Sequence, residues 1–168
     1  METLIAILSL VHTLGAAIGA AGITFAEVLY LKASADGRID DRERDYIRTT
    51  FWALKWGMAT VLVSAIALII AQYQDSAAMQ AVVTPAFWAS LTLALVVLLS
   101  GYELAMKRIP WLVATSFGFA AWWMILILDA WKGLDAGYLG LLFFYLLFAF
   151  LSMGAWGYAR LFLTKSNS

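Results

Sequence analysis

Residues 4–31 read LIAILSLVHTLGAAIGAAGITFAEVLYL, and this stretch decides the fold. A helix needs about 20 mostly apolar residues to cross a bilayer, so the stretch is long enough to span. Four more apolar segments of sufficient length follow, each bounded by charged or polar residues, proline or glycine: 49–72, 85–106, 111–131 and 137–162. The sequence therefore predicts an all-α integral membrane bundle of five transmembrane helices, forming a single domain over residues 1–168.

The overall composition supports this fold class and excludes several functions. Hydrophobic residues make up 64% of the chain and charged residues 13%, against about 25% charged in soluble domains. The net charge is zero, which argues against a nucleic-acid partner and leaves the lipid bilayer as the expected one. With no cysteine, disulfides, thiolate metal sites and thiol catalysis are excluded. The first stretch is too long for a signal peptide and lacks a basic start, so it is expected to stay as a helix.

The distribution of lysine and arginine predicts the orientation. Nine of these residues fall in the first and third connections and at the C-terminal end, against one, Lys132, on the opposite side. The N-terminus should therefore lie outside and the C-terminus inside, in a multi-pass protein of a bacterial inner membrane. Residues 32–48 are predicted to form a cytoplasmic helix–turn–helix connection. Asp40 is expected to cap the second helix.

The connection also contains DGRIDDRE, which resembles part of a calcium loop. In that register Asp36, Asp40 and Glu43 would take positions 5, 9 and 12. Lys32 and Ser34 would then occupy the first two ligand positions, where oxygen ligands with negative charge are needed. A tight bend at Gly37 is the favoured interpretation.

The most informative chemical feature is His12, the chain's only histidine. It shares a helix face with Gly15 and Gly19, a GxxxG pair that lets another backbone approach closely in lipid. By counting along the helix, His12 lies about 13 Å from the outer end, where ionisable residues are rare and usually face the bundle interior. One interpretation is a neutral imidazole that bonds across helices to a serine or threonine. The alternatives are a haem ligand, a metal ligand or a proton-relay group.

Two further sets of residues are candidates for a site. At the depth of His12, the fourth helix should carry Trp122 and Trp123, whose rings are suited to lie beside a flat cofactor. Met58 or Met124 is a candidate for a second, weak axial ligand. Toward the inner surface, two acids and two bases should occur at comparable depth, as an interhelical pairing set or as a polar pocket open to the cytoplasm: Glu27, Lys55, Glu103 and Arg160.

The string VHTLGAAIGAAG resembles the LHxLGxxxWxGG-like opening of a group of small membrane proteins that includes the copper-resistance D family and membrane-bound protoporphyrinogen oxidase. The third segment, FWASLTLALVVLLSGYELAMKR, is similar to their third span, and the resemblance covers helices 1 to 4. It implies that His12 is associated with haem or a metal. The family's third-span lysine has no counterpart here, where Ser90 and Thr92 occupy that region. No second histidine exists, so a bis-histidine haem within one protomer is excluded.

Three functional hypotheses follow from these observations. The first is a cofactor-binding membrane protein, with haem or a metal on His12. The second is a small transporter or channel that uses the inner polar residues. The third is a structural membrane subunit whose polar residues lock helices together. The small-residue stripe on helix 1 is predicted to be its central contact face. A homo-oligomer is also expected, with no number of subunits assigned.

Overall fold

The computed structural model describes residues 2–33, 40–74, 84–131 and 136–166, with side chains through 162. These ranges form five helices: α1 (Glu2–Ala33), α2 (Asp41–Gln74), α3 (Pro85–Ala105), α4 (Trp111–Ala130) and α5 (Tyr138–Ser166). All five are long and apolar enough to cross a membrane, which confirms the predicted all-α, five-span architecture. The predicted spans end within four residues of the observed helices, except that α2 begins earlier, at its predicted cap.

The start of α2 shows why the helix extends beyond its apolar part. The Asp40 side chain accepts a hydrogen bond from the Glu43 amide at 2.7 Å, and the Glu43 carboxylate accepts one from the Asp40 amide at 3.0 Å. This reciprocal capping box satisfies two amides that a helix start would leave without partners. The predicted cap is confirmed. The rest of the predicted helix–turn–helix connection, residues 34–39 with Gly37 and Asp36, lies outside the described residues.

Helix α4 occupies the centre of the bundle. It packs against α1, α3 and α5, and 56% of its spanning window is buried, against 17–22% in the other helices. Helix α2 packs chiefly along α1. In a bundle with short connections, helices that follow each other in sequence are expected to pack side by side. Within the described ranges, three of the four consecutive pairs do so, and α2 and α3 make no extensive contact.

Helices α1 and α4 run antiparallel in a register that their contacts define. Tyr30 stacks on Trp111 with ring centroids 4.1 Å apart, and at the other end His12 meets Asp129. Helix α1 has 32 residues and α4 has 20, or about 48 and 30 Å at 1.5 Å per residue. Helix α1 therefore continues for about nine residues, or about 14 Å, past the level at which α4 ends.

Candidate functional site

The site is centred on His12, whose ring lies between α2 and α4. Its Nδ1 atom is 2.9 Å from the Ser64 hydroxyl on α2. Its Nε2 atom is 3.5 Å from an Asp129 carboxylate oxygen on α4. The interpretation of His12 as a group that bonds across helices to a serine is confirmed. His12 also has a second partner, Asp129, which adds an acidic group to the hydrogen bond between His12 and Ser64.

The Ser64 hydroxyl fixes the protonation of one ring nitrogen. Its oxygen is 2.5 Å from the Thr60 carbonyl and 3.1 Å from the Val61 carbonyl, and carbonyls only accept hydrogen bonds. The single hydroxyl hydrogen is therefore committed to the backbone of α2, as is common for serine within a helix. Toward His12 the hydroxyl can then only accept, so Nδ1 carries a proton and donates it to Ser64.

The Thr24 hydroxyl has the same arrangement as the Ser64 hydroxyl, and its partner on the other helix can only donate a hydrogen bond. The Thr24 hydroxyl donates to the Ala20 carbonyl at 2.7 Å. It also lies 3.1 Å from the indole nitrogen of Trp123, and an indole N–H is a donor only. Thr24 therefore gives its hydrogen to its own helix and accepts across the interface. This precedent within the molecule supports the same polarity at Ser64.

With Nδ1 protonated, Nε2 is the ring nitrogen that faces the Asp129 carboxyl, 3.5 Å from one of its oxygens. The contact is an ion pair when Nε2 carries a proton, so that an imidazolium lies beside a carboxylate. The same two groups can also meet as a neutral imidazole beside a protonated carboxyl. The two forms differ only in which atom holds the proton. The pair therefore brings together two groups able to exchange one proton.

The position of the pair leaves it within reach of one end of the bundle. Asp129 is one residue from the end of α4, so this central helix extends little beyond it. The side chains of His12 and Asp129 retain 11% and 19% of their exposure. The pair is therefore buried without being fully enclosed.

The small-residue stripe of α1 is filled by neighbouring helices. A Cβ on Gly15 would lie 3.0 Å from Thr60, and one on Gly57 of α2 would lie 3.0 Å from the backbone of Gly15 and Gly19. A Cβ on Gly19 would lie only 2.1 Å from the ring of Trp122. The glycines thus admit α2 and one tryptophan ring, which is the close approach that the GxxxG pair predicted.

The aromatic residues expected beside a cofactor take part in packing. Trp122 is 1% exposed and its ring occupies the notch at Gly19. Trp123 donates to Thr24, and Met124 is buried in the core. The register places Trp122 at Gly19, seven residues from the His12–Asp129 level on both helices. That separation is about 10 Å along the axis.

These contacts make His12 a poor fit for haem or a metal. A haem ligand needs one ring nitrogen aimed at the iron, whereas both nitrogens of His12 face protein groups. Over the described ranges, no group of three or more His, Asp or Glu residues is placed to hold a metal ion. A haem or metal on His12 would have to displace Asp129. The cofactor assignment stays a prediction, and no chemistry is derived from it.

The four residues of the predicted inner polar set have separate surroundings. Glu27 is 1% exposed, whereas the Lys55 ammonium is exposed and lies 5.3 Å from the centre of the Trp52 ring. Glu103 lies 3.5 Å from the Arg108 guanidinium. Arg160 is exposed on α5. These contacts connect Lys55 and Glu103 to residues outside the set, and they single out Glu27 as its deeply buried member.

Sequence reasoning missed the two residues that complete the site, Ser64 and Asp129. Asp129 lies near the outer end of the fourth apolar segment, where a carboxylate is ordinarily expected at the membrane interface. The available signal was the polarity of Asp129 within an apolar segment. Its pairing with His12 was hidden because the two residues lie at different distances from the ends of their helices.

Comparison of the chain with protein-family models, with curated proteins and with solved structures gave no match. The similarity of the first helix to the copper-resistance D group therefore stays a prediction. The function must be argued from the site itself.

Proposed function

We propose that this multi-pass membrane protein moves protons across the bilayer, with the His12–Asp129 pair as a proton-binding step. The observation that supports the proposal is the position of the His12 ring between Ser64 and Asp129. The committed hydroxyl hydrogen of Ser64 leaves Nε2 as the nitrogen that faces the Asp129 carboxyl, at 3.5 Å. A histidine and a carboxylate at this separation can exchange a proton with little movement. Ionisable groups inside membrane bundles are most often parts of ion or proton paths.

This is the transporter or channel hypothesis, with the proton-binding residues now His12 and Asp129 in place of the inner polar set. We propose further that the N-terminus faces the outside, as the lysine and arginine distribution predicts. The pair then receives protons from the outer side of a bacterial inner membrane. The predicted homo-oligomer is a separate proposal, tested by the mass of the purified protein in detergent.

Proton flux into proteoliposomes tests the function directly. Purified protein is reconstituted into vesicles that hold a pH-sensitive dye, and a potassium diffusion potential drives proton entry. The wild type should acidify the vesicles faster than protein-free vesicles. Asp129→Asn should lower the flux about 100-fold, because a positioned proton-transfer group contributes roughly this factor.

The matched control is Thr92→Val, which removes a half-buried hydroxyl that bonds to its own helix and to Tyr138 at 3.0 Å, away from His12. Its flux should equal that of the wild type. Wild-type flux no greater than that of protein-free vesicles would overturn the proposal, as would full flux in Asp129→Asn.

The proton arrangement has its own test, because the chain has a single histidine. Nitrogen NMR of protein labelled with ¹⁵N-histidine reports one ring. We expect a protonated Nδ1 in the wild type, and an Nε2 resonance that shifts in Asp129→Asn while the Nδ1 resonance stays protonated. A ring with Nδ1 unprotonated would contradict the deduced polarity of Ser64.

Haem binding remains the competing proposal and is settled by an absorption spectrum of protein purified from cells supplied with haem. A Soret band that disappears in His12→Ala would favour the cofactor hypothesis. A colourless protein that conducts protons would exclude it.

A further inference from the structure

Glu27 is the most deeply buried ionisable group in the part of the chain that the structure describes. The residue is 1% exposed, and its Oε2 atom has no hydrogen-bond partner. Its carboxyl group bonds to the Thr115 side chain on α4. Among the described residues, no salt bridge involves it. An ionised carboxylate in such surroundings would lack both a counter-charge and enough donors.

The Thr115 hydroxyl indicates the form that Glu27 takes. This hydroxyl donates to the Trp111 carbonyl at 2.9 Å, one turn back along α4. Its hydrogen is thereby committed, as at Ser64 and Thr24, and toward Glu27 it can only accept. The donor must then be a protonated Glu27 carboxyl, through Oε1. The unpartnered Oε2 is then a neutral carbonyl oxygen, which costs much less to bury than a carboxylate oxygen.

Aromatic rings lie on both sides of Glu27 along the α1–α4 interface. Trp122 fills the notch at Gly19, eight residues from Glu27, or about 12 Å toward the His12 level. The Tyr30–Trp111 stack lies three residues away on the other side, about 4.5 Å along the axis. Along the helix axis, Glu27 therefore lies between the Trp122 ring and the Tyr30–Trp111 stack, with His12 beyond Trp122.

We propose that Glu27 is an occluded proton-binding site, separated from the His12–Asp129 pair by the Trp122 ring and from the opposite end of the bundle by the Tyr30–Trp111 stack. The ligand is a proton because only Glu27 and Thr115 supply oxygen atoms in the described contacts, too few for a metal cation. A single proton path through Glu27 and His12 rests on the proposed function. The occlusion and protonation of the Glu27 carboxyl do not depend on that function.

Infrared difference spectroscopy of the reconstituted protein tests the site without requiring flux. The wild type at neutral pH should show the carbonyl band of a protonated carboxylic acid that disappears in Glu27→Gln. The matched control is Glu103→Gln, which removes a partly exposed acid on α3 beside Arg108 and should leave the band unchanged. On transfer to D₂O, the band should shift slowly, because the carboxyl is enclosed.

Opening the first barrier should speed this exchange. Trp122→Phe shortens the ring at Gly19 and should raise the exchange rate of the band about tenfold or more, a loss of roughly 1.4 kcal/mol of barrier. The control is Trp123→Phe, which changes the tryptophan next to Trp122 and removes its hydrogen bond to Thr24. In this variant the Glu27 band should exchange at the wild-type rate.

Each outcome decides the inference. Absence of the Glu27 band in the wild type would overturn it whatever the flux, and so would exchange that is immediate in the wild type. Exchange in Trp122→Phe at the wild-type rate would refute the role of Trp122 as a barrier. A wild type that shows the band and conducts no protons would support the occluded site and refute the proposed function.

Discussion

The contact between Gly19 and Trp122 gives the sharpest quantitative prediction. A Cβ at Gly19 would lie 2.1, 2.2 and 2.4 Å from three ring carbons of Trp122. The residue is 1% exposed, so the ring can move only by displacing or repacking its neighbours in the core. Gly19→Ala should therefore force the ring or the helices to shift, and overpacking of this kind costs about 1–3 kcal/mol of unfolding free energy.

The higher helix propensity of alanine acts in the opposite direction, so its contribution must be subtracted from the measured change in unfolding free energy. Replacing a mid-helix glycine with alanine stabilises a helix by about 1 kcal/mol. Gly118→Ala is the matched control, since Gly118 is a buried helical glycine on α4 and its Cβ would meet nothing within 4 Å. Gly118→Ala should be stabilising. Gly19→Ala should be less stable than this control by about 1–3 kcal/mol.

Reversible unfolding in mixed detergent micelles measures these differences. Combining Gly19→Ala with Trp122→Phe completes a double-mutant cycle, in which the smaller ring relieves the clash. The expected coupling is favourable by about 1–3 kcal/mol, within the range for residues in contact. A Gly19→Ala protein as stable as Gly118→Ala, or a coupling near zero, would refute the close contact and the barrier built on it.

Three further measurements test the fold and its orientation. Asp40→Ala should lower the stability of α2 by about 1 kcal/mol through loss of the capping box, seen as a lower unfolding midpoint. Gly57→Ala should separate α1 from α2, because its Cβ would lie 3.0 Å from α1 backbone atoms, whereas Gly101→Ala meets nothing and should leave the unfolding midpoint unchanged or raised. In this cysteine-free chain, an impermeant maleimide applied to intact cells should label Gln74→Cys and leave Arg44→Cys unlabelled; the reverse pattern would invert the proposed orientation.

The five helices were predictable because each is encoded locally. An apolar run of sufficient length must hydrogen-bond its own backbone in lipid, so helix count and approximate ends follow from composition alone. The cap at Asp40 was equally local, since the Asp40–Glu43 spacing already contains the capping box. The separation of α2 from α3 was not predictable, because apolar surfaces alone do not determine which helices become neighbours in a bilayer.

The site was only partly predictable for a related reason. His12 stood out by its rarity and by the glycines on its face. Its partner Asp129 depended on the offset between α1 and α4, which helix lengths do not give. Counting from helix ends places His12 ten residues deep and Asp129 one residue deep, although the two side chains meet. The glycines on the His12 face leave room for a neighbouring group, and the structure shows that Trp122 and α2 use that room.

A purely structural role explains the buried polar residues less well than proton binding. A polar residue that only holds helices together should form hydrogen bonds with its polar atoms, as the Trp123 indole does with Thr24. At Glu27 the bond to Thr115 requires one donor hydrogen, which a glutamine amide would supply without any ionisable group. The acid instead leaves one oxygen without a partner, which a group with a purely structural role would not need. Glu27→Gln should therefore be at least as stable as the wild type in micelle unfolding, while it abolishes the exchangeable carboxyl. A marked loss of stability in Glu27→Gln would favour the structural role.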